Sequence, residues 1–484
     1  MRMGDEIANS HFSEQDYADY YAELERETKT LEQLFINHSF SRESQYCGLE
    51  QEAWILNVDG YPVPENQYLI DSLKHALLSP ELARFNIELN VTPRKLSNQG
   101  LSLMQSELKA LWDLCDDQLA KKQLHMEMIG ILPTVRDEEL VVSNMSDMKR
   151  YRALNEQVLL SRGGKPLFLN IVGKEKLATE HSDVMLESAA TSLQVHRQVE
   201  ARNCTRYYNA AIALSAITVA ISANAPFLFG KKLWEETRIP LFEQAVEVGG
   251  YGNTQHGPIR RVSFGSGYAQ KSIFECFQEN LAHYPVLLPV KLDSNSKKFP
   301  YLRMHNGTIW RWNRPIVGFD EDGTPHVRIE HRVMAAGPTI EDEMANTAFF
   351  YGLQEYYASQ STGLEEIIPF SVAKDNFYSA AQHGIKSNIN WVNTETNESY
   401  KISIKKLIEK ELLDHARFGL IKLGIDKYDI DHYLHIIKQR ASTGQTGSAW
   451  MQAYYDNHTI SMNELMNVYR QNRLTETPVH TWAL

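Results

Sequence analysis

Four separate segments of the chain alternate apolar and polar residues with the two-residue period of a β-strand. They span residues 49–54, 85–91, 193–199 and 327–333. Because successive side chains on a strand point to opposite faces, each segment presents one apolar face to a core and one polar face elsewhere. The pattern therefore predicts four strands of a sheet that is covered on one side.

Apolar residues recur at helical spacing on either side of these strands. Residues 14–36 carry a partial apolar stripe, residues 101–118 and 205–221 are longer helical stretches, and helical spacing returns towards the C-terminus. Residues 393–399 (Asn-Thr-Glu-Thr-Asn-Glu-Ser) form the most linker-like stretch, which indicates a boundary there. The predicted organisation is an N-terminal helical lead at 1–40, an α+β catalytic body at 41–395 and a C-terminal helical extension at 396–484.

The composition is that of an ordinary globular protein and narrows the possible classes. Of the 484 residues, 43% are hydrophobic and 23% are charged, which excludes a disordered or fibrous chain. A net charge of −12, without a basic stripe, argues against nucleic-acid binding. The most apolar stretch, residues 210–221, is too short to span a bilayer. Four scattered cysteines and a charged N-terminus without an apolar leader favour a reduced, cytoplasmic protein that binds no membrane.

The polar faces of the four segments share a short set of residue types. Carboxylates that converge on one surface repel each other unless cations lie between them, and Mg²⁺ prefers oxygen ligands of this kind. Arginines among the carboxylates supply paired donors for phosphate or carboxylate oxygens. The residues concerned are Glu50, Glu52, Asn86, Glu88, Asn90, Gln194, His196, Gln198, Arg328, Glu330 and Arg332.

These faces predict a site for Mg²⁺ and a nucleotide on a sheet. The alternative for each segment is an amphipathic strand whose polar face lies in water, which is the commoner outcome for one antiparallel strand taken alone. Four segments with the same residue types favour a shared site, provided that the fold brings their polar faces together.

The segments resemble the glutamate–cysteine ligase family of carboxylate–amine ligases, in the branch shared by plant enzymes and bacterial homologues. Residues 48–52 (Gly-Leu-Glu-Gln-Glu) are similar to the family's opening strand with two metal-binding glutamates. Residues 87–93 (Ile-Glu-Leu-Asn-Val-Thr-Pro) resemble its next acidic strand, and residues 191–196 (Thr-Ser-Leu-Gln-Val-His) a strand with a Gln or His ligand. Further similarities lie at residues 223–227, Gly230, Lys231, Arg238, Arg314-Pro315, residues 329–333, Asn376 and Gly384.

The resemblance implies a fold like that of glutamine synthetase, in which a curved antiparallel sheet packed on helices holds ATP and Mg²⁺. It also implies a reaction in which the side-chain carboxylate of glutamate is phosphorylated. The amine of a second amino acid, with cysteine favoured, then attacks the acyl phosphate. Such an enzyme serves glutathione biosynthesis, its partners are these small molecules, and a homodimer is left open.

The resemblance also assigns roles to individual residues. Arg332, together with Glu330, is the expected catalytic residue, because its charge neutralises the γ-phosphate and the acyl phosphate. His196 is expected in the metal shell or hydrogen-bonded to ATP. Arg238 and Arg314 are expected to hold nucleotide phosphate or substrate carboxylate, with a structural ion pair as the alternative for each. The expected metal ligands are Glu50, Glu52, Glu88, Gln194 and Glu330.

Residues 249–268 depart from the family pattern, and this is the region in which the amine acceptor would be chosen. Two rival functions stay open: a Mg-ATP kinase that acts on a small carboxylate or nitrogen compound, and a non-catalytic relative that only binds. The chain has no P-loop motif, so metals and arginines would have to hold a nucleotide. Because Glu50, Glu52, Glu88, Glu330 and Arg332 are all present, the non-catalytic alternative is disfavoured.

Overall fold

The fold is built around one antiparallel sheet with helices packed against it. The computed structural model describes residues 6–7, 11–248, 260–293, 295–393, 396 and 398–484. Within these residues, eight strands form the central sheet, and the other eight form four separate two-stranded sheets.

The elements are numbered in chain order. The helices are α1 Glu14–Ile36, α2 Asn66–Leu73, α3 Gly100–Ala120, α4 Lys149–Ser161, α5 Cys204–Ile221, α6 Arg238–Ala245, α7 Phe274–His283, α8 Pro300–Gly307, α9 Ile340–Ala358, α10 Leu364–Ile367, α11 Phe370–His383, α12 Ile404–Leu407, α13 Leu413–Lys422, α14 Lys427–Thr443, α15 Gly447–Asn457 and α16 Met462–Leu474. The strands are β1 Tyr46–Asn57, β2 Leu78–Pro80, β3 Asn86–Asn90, β4 Arg94–Lys95, β5 Leu124–Glu127, β6 Leu167–Val172, β7 Lys176–His181, β8 Ser192–Val199, β9 Phe227–Leu228, β10 Lys231–Lys232, β11 Val262–Ser263, β12 Trp310–Arg311, β13 Asn313–Phe319, β14 Pro325–Ala335, β15 Asn388–Val392 and β16 Ser399–Ser403.

The central sheet has the strand order β13-β14-β8-β1-β3-β2, and β4 and β5 also pair with β1. Every pair in it is antiparallel. The four alternating segments lie in β1, β3, β8 and β14, so the prediction of four strands is confirmed. These four strands are also direct neighbours, although they come from distant parts of the sequence.

The covered side of the sheet packs against α5 and α9. Helix α5 is buried along almost its whole length, and no described helix is long and apolar enough to cross a membrane. His331 of β14 connects the sheet to both helices: Nε2 lies 2.8 Å from Oγ1 of Thr218 in α5, and the ring stacks 3.9 Å from that of Phe350 in α9. Its Nδ1 lies 2.7 Å from Oδ1 of Asn313 in β13. These contacts hold β14 against the two helices, so that its polar face lies on the other side of the sheet.

The C-terminal helices pack onto the body of the protein. Arg440 of α14 makes a buried ion pair of 2.6 Å with Asp342 of α9, and Arg473 of α16 makes one of 2.6 Å with Glu127 of β5. The boundary predicted near residue 395 lies between β15 and β16, which pair with each other. The division into three domains stays a prediction.

The predicted N-terminal helix at residues 14–36 is confirmed as α1. Ser13 caps it, because its side chain accepts a bond from the backbone N–H of Asp16 while the Asp16 carboxylate accepts one from the backbone of Ser13. Further along, the Glu27 carboxylate is buried and accepts a 2.8 Å hydrogen bond from the backbone N–H of Leu302 in α8. This burial raises the pKa of Glu27 to about 7.

The stability of the Glu27→Gln variant is expected to depend less on pH than the stability of the native protein. With a folded-state pKa above the unfolded one, Glu27 reduces stability as pH rises from about 4.5 to about 7. The difference in free energy of unfolding between the variant and the native protein should therefore shift in favour of the variant by roughly 2–3 kcal/mol between pH 5 and pH 8. Urea unfolding at both pH values measures it, with Glu25→Gln on the same helix as control. Parallel curves for Glu27→Gln and native protein would contradict the assignment.

Candidate active site

The polar faces of β1, β3, β8 and β14 lie together on one side of the central sheet. This arrangement follows from the strand registers, because residues directly opposite each other on neighbouring strands share a face. We call this surface the acidic face. Its successive rows are Arg328 with Gln198, Glu330 with His196, Gln194 with Glu50, and Glu88 with Glu52.

Glu50, His196 and Glu330 form the tightest group of possible metal ligands. One ligand atom from each lies within 4.8 Å of those of the other two. Nε2 of His196 is 3.1 Å from Oε1 of Glu50 and 3.8 Å from Oε1 of Glu330. Burial favours the neutral form of Glu50, but the neighbouring His196 outweighs it and lowers the pKa of Glu50. We refer to these three residues as the Glu50 cluster.

Two arginines neutralise Glu330, which is fully buried. Arg314 of β13 makes a bidentate pair with it, from Nε to Oε2 and from Nη2 to Oε1, each 2.8 Å. Nη1 of Arg332 lies 3.2 Å from Oε2 of the same carboxylate. Burial opposes ionisation, but the two arginines outweigh it and hold the pKa of Glu330 far below its usual range. Glu330 is therefore an anion in the absence of any ligand.

A second acidic group lies one row beyond Glu50, around Glu52 and Glu88. The Glu52 carboxylate accepts hydrogen bonds from the backbone N–H of Ser192 at 2.6 Å and from Nε2 of Gln194 at 2.7 Å. Burial and the charge of Glu50 raise the pKa of Glu88 to about 8, while Nδ2 of Asn90 donates to it at 2.8 Å. Packed carboxylates of this kind repel each other unless they bind protons or cations.

Glu81 and Glu187 join this second group and were not predicted from the sequence. Burial and the charge of Glu52 raise the pKa of both carboxyl groups, for Glu187 to about 8. Glu81 follows the three-residue strand β2, and Glu187 lies in a short 3₁₀ turn before β8. Neither position belongs to an alternating pattern. In the sequence, Glu81 is marked only by its position seven residues before Glu88, and spacing of that kind is common by chance.

The donor set of the acidic face suits a hard divalent cation. Oε1 of Gln194 is buried without a hydrogen-bond partner, and neither ring nitrogen of His196 makes a well-aligned hydrogen bond. Buried polar atoms are almost always paired, so unpaired acceptors beside carboxylates indicate a missing positive partner. The residues of the Glu50 cluster and Gln194 therefore fit Mg²⁺.

The structure places Arg238 at the edge of the acidic face, under β14. Its Nε lies 3.2 Å from Oε1 of Glu236, and its two terminal nitrogens donate to the backbone carbonyls of Arg332 and Val333. The β14–β8 register shifts between His331 and Met334, so Arg238 supports the irregular part of the strand that carries Arg332. In this structure Arg238 and Arg314 thus both form structural ion pairs, the alternative that sequence analysis left open for each.

Most of the segment expected to select the amine acceptor lies outside the described residues. It spans residues 249–268, of which the structure describes those from Arg260 onward. Nε of Arg260 lies 2.8 Å from Oε2 of Glu247. Arg261 is buried and donates to the backbone carbonyl of Thr308 at 2.9 Å.

The fold and the acidic face together define an ATP-dependent ligase that joins a carboxylate to an amine. Carboxylates for metal ions beside arginines for oxyanions are what phosphoryl transfer requires. The sequence model of glutamate-cysteine ligase family 2 matches residues 46–471, and the chain belongs to this family. The resemblance inferred from the strand motifs is thereby confirmed, and the family extends through the C-terminal helices. No curated protein sequence matches the chain at a significant level.

Solved structures of ligases share this fold. A glutamate–cysteine ligase from Francisella tularensis, solved in complex with AMP, gives a TM-score of 0.57 at 11% identity, over 92% of this chain and 90% of that one. A bifunctional glutathione synthetase from Pasteurella multocida gives 0.51 at 10% identity, over 92% of this chain and 54% of that one. At such identities the likeness shows the fold alone. It confirms the predicted α+β class, with a curved, glutamine-synthetase-like antiparallel sheet packed on helices and a helical C-terminal region.

Proposed function

We propose that the protein activates the side-chain carboxylate of glutamate with ATP and joins it to the amine of a second amino acid, cysteine being the favoured acceptor. A carboxylate oxygen of glutamate attacks the γ-phosphorus of ATP, and ADP leaves. The amine nitrogen then attacks the acyl carbon, phosphate leaves, and the nitrogen loses a proton. The observation that carries the proposal is the convergence of Glu50, His196 and Glu330 within 4.8 Å beside Arg332.

Mg²⁺ is the cation that we propose for the acidic face. The residues that would hold it are those of the Glu50 cluster with Gln194, and Glu52, Glu81 and Glu88 in the second group. Bound there, Mg²⁺ would neutralise phosphate oxygens and orient the nucleotide. The proposal keeps the ligands expected from the sequence, takes His196 into the metal shell and adds Glu81.

Arg332 is the residue that we propose to stabilise charge on the transferring phosphoryl group. It lies in the irregular part of β14, between the Glu50 cluster and the second acidic group. Its side chain is only partly buried, so it remains accessible on the acidic face. The nearby glutamates Glu330 and Glu52 outweigh its burial and raise the pKa of the guanidinium, so it stays charged. A fixed charge in a partly desolvated site stabilises a transition state without reorganisation.

We propose that Arg314 acts on this chemistry only through Glu330. Its guanidinium is fully buried: Glu330 holds Nε and Nη2, and Nη1 faces the backbone carbonyls of Asn306 and Gly307 at 3.5 Å, so no donor is exposed to a substrate in this arrangement. It keeps Glu330 ionised and oriented towards His196. This proposal replaces direct substrate binding as the role of Arg314.

Amine-dependent release of ADP is the expected result of the decisive assay. Purified protein is incubated with Mg²⁺, ATP and glutamate, with and without cysteine and other amino acids, and ADP and phosphate are measured. ADP release that requires an amine, with equal phosphate and an amide product detected by mass spectrometry, is expected. A phosphorylated small molecule formed without amine would instead identify a kinase. Tight nucleotide binding with no turnover for any acceptor would identify the non-catalytic relative.

A further inference from the structure

Gln51 lies behind the acidic face, between Glu50 and Glu52 in the sequence. Because neighbours on a strand point to opposite faces, its side chain points to the covered side of the sheet. Leu89 of β3 and Leu193 of β8 lie directly opposite it there, and the side chain of Gln51 is fully buried. A buried amide among apolar side chains is costly unless both its nitrogen and its oxygen are hydrogen-bonded, so the partners of this amide are informative.

The nitrogen of the Gln51 amide has a partner, whereas its oxygen has none among the described residues. Nε2 donates to the backbone carbonyl of Glu52 at 2.8 Å. The pairing of β1 with β8 ends at Gln51 and Leu193, one residue before Glu52. The amide therefore holds the Glu52 peptide at the point where the two strands separate. Oε1 of Gln51 is buried without a hydrogen bond.

Glu343 of α9 contacts Gln51 from the covered side and is also fully buried. Its Oε1 accepts a 2.5 Å hydrogen bond from the backbone N–H of Gly337, two residues beyond the end of β14. Its Oε2 is buried without a hydrogen-bond partner. Each of the two side chains in contact thus has one oxygen left unpaired.

No positive charge compensates Glu343 within the part of the chain that the structure describes. The charged group that acts on it is the Asp342 carboxylate, which is itself paired with Arg440 of α14 at 2.6 Å. Burial raises the pKa of Glu343 to about 8, and Asp342 adds to this effect. The Gly337 N–H and the Gln51 amide favour the ionised form, but burial outweighs them. Glu343 is therefore mostly neutral at pH 7.

A proton on Glu343 supplies the donor that both unpaired oxygens lack. An amide oxygen and a carboxylate oxygen only accept hydrogen bonds, so they cannot bond to each other, whereas a protonated carboxyl group has an O–H donor. With the proton on Oε2, Glu343 donates to Oε1 of Gln51, and both atoms gain a partner. Turning the Gln51 amide over would not achieve this, because its oxygen would then face the carbonyl of Glu52.

We propose that Glu343 is a neutral carboxylic acid in the folded protein and that its proton, shared with Gln51, positions Glu52 on the acidic face. Hydrogen bonds then run without a break from the end of β14, through α9, to β1. Glu343 is a positioning residue, since it contacts neither substrate nor cation. The positioning role rests on the proposed function, whereas the location of the proton does not.

Replacement of Glu343 by glutamine tests where the proton lies. Glutamine keeps an acceptor for Gly337 and places an N–H donor opposite Gln51. Glu343→Gln should therefore keep glutamate-dependent ADP release within about twofold of the native value and unfold at the native temperature or above it. Infrared difference spectra between the native protein and Glu343→Gln should contain the C=O stretching band of a protonated carboxyl group. A carboxylate band in its place, or a clear loss of turnover or stability in Glu343→Gln, would overturn the inference.

Glu355→Gln is the matched control, because Glu355 is buried on the same helix but has cationic partners. It pairs with Arg197 at 2.5 Å and Lys422 at 3.2 Å, and Arg197 above all outweighs burial and lowers the pKa of Glu355. Glu355→Gln should therefore unfold at a lower temperature than the native protein. Glu343→Gln should gain stability relative to the native protein between pH 5 and pH 8, because a folded-state pKa above the unfolded one reduces native stability as pH rises through this interval. Equal behaviour of the two variants would show that Glu343 is ionised.

The Mg²⁺ requirement measures the positioning role. Residues that hold metal ligands from behind contribute roughly 10- to 100-fold to metal affinity or activity. Glu343→Leu has neither donor nor acceptor and is expected to need roughly tenfold more Mg²⁺ for half-maximal turnover, with Glu343→Gln at the native value. Gln51→Met removes the acceptor on β1 and should have the same effect, which keeps the test open if Glu343→Leu does not fold. A native Mg²⁺ requirement in either folded variant would contradict the positioning role.

Failure of the proposed function gives a different result from failure of this inference. If the native protein releases no ADP with any amine, the ligase proposal fails, and the infrared spectra and unfolding curves still decide whether Glu343 carries a proton. An active native enzyme whose Glu343→Gln variant is inactive would defeat this inference alone.

Discussion

Replacing Glu50 by glutamine is expected to reduce glutamate-dependent ADP release about 1,000-fold or more while the protein stays folded. Glu50 supplies an anionic oxygen to the Glu50 cluster, and the neutral amide of glutamine is a weaker ligand for Mg²⁺ that also removes one negative charge from the site. The folded structure depends little on it, because within the described residues its one ion-pair contact is with His196 at 3.1 Å, and the neighbouring Glu330 carboxylate repels it. Steady-state kinetics at saturating Mg²⁺ and ATP measures the loss.

Glu180→Gln is the matched control for this prediction. Glu180 lies exposed on β7, away from the acidic face, so the same chemical change there should leave activity within about twofold and the unfolding temperature within about 2 °C. Unfolding of Glu50→Gln should begin within the same interval. Native-like turnover in Glu50→Gln would remove Glu50 from the metal site. Loss of activity together with early unfolding would show that Glu50 supports the fold instead.

The faces of the central strands were predictable from sequence, but their neighbours were not. A period of two fixes which side chains of β1 share a face, so Glu50 and Glu52 could be assigned to one surface. It does not say that Glu52 faces Glu88 while Glu50 faces Gln194. Those registers depend on packing between segments far apart in the chain. The sequence therefore indicated a shared site only through the residue types that the four segments have in common.

The functions of the arginines were harder to predict, because pairing is a tertiary property. Arg238 and Arg314 looked like substrate ligands in a chain with several acidic strands. In the fold, Glu236 and Glu330 occupy their guanidinium groups. Arg328 stood in the same alternating pattern and received no individual role from sequence analysis. In the fold its Nε is buried without a hydrogen bond, which no pattern in the sequence indicates.

Short elements were missed for a different reason. Glu81 and Glu187 lie next to a three-residue strand and in a 3₁₀ turn, which are too short to show any period. Residues 393–399, by contrast, have the composition of a linker, but their described flanks pair as β15 and β16. Turn-forming residues mark both the loop of a hairpin and a domain boundary, and composition alone does not separate the two.

Arg314→Met is expected to lower the free energy of unfolding by about 3–5 kcal/mol, the largest effect on stability that we expect from the acidic face. Arg314 and Glu330 form a bidentate pair that is fully buried, so removing the arginine leaves a buried carboxylate with Arg332 as its one remaining arginine partner among the described residues. The double variant Arg314→Met/Glu330→Gln removes both charges and should recover part of the loss. Urea unfolding at pH 7 of both single variants and the double variant gives the coupling energy. Arg417→Met breaks the exposed pair with Asp431 and should cost less than about 1 kcal/mol. If Arg314→Met costs no more than this control, the buried pair does not stabilise the fold, and Arg314 becomes available again as a substrate ligand.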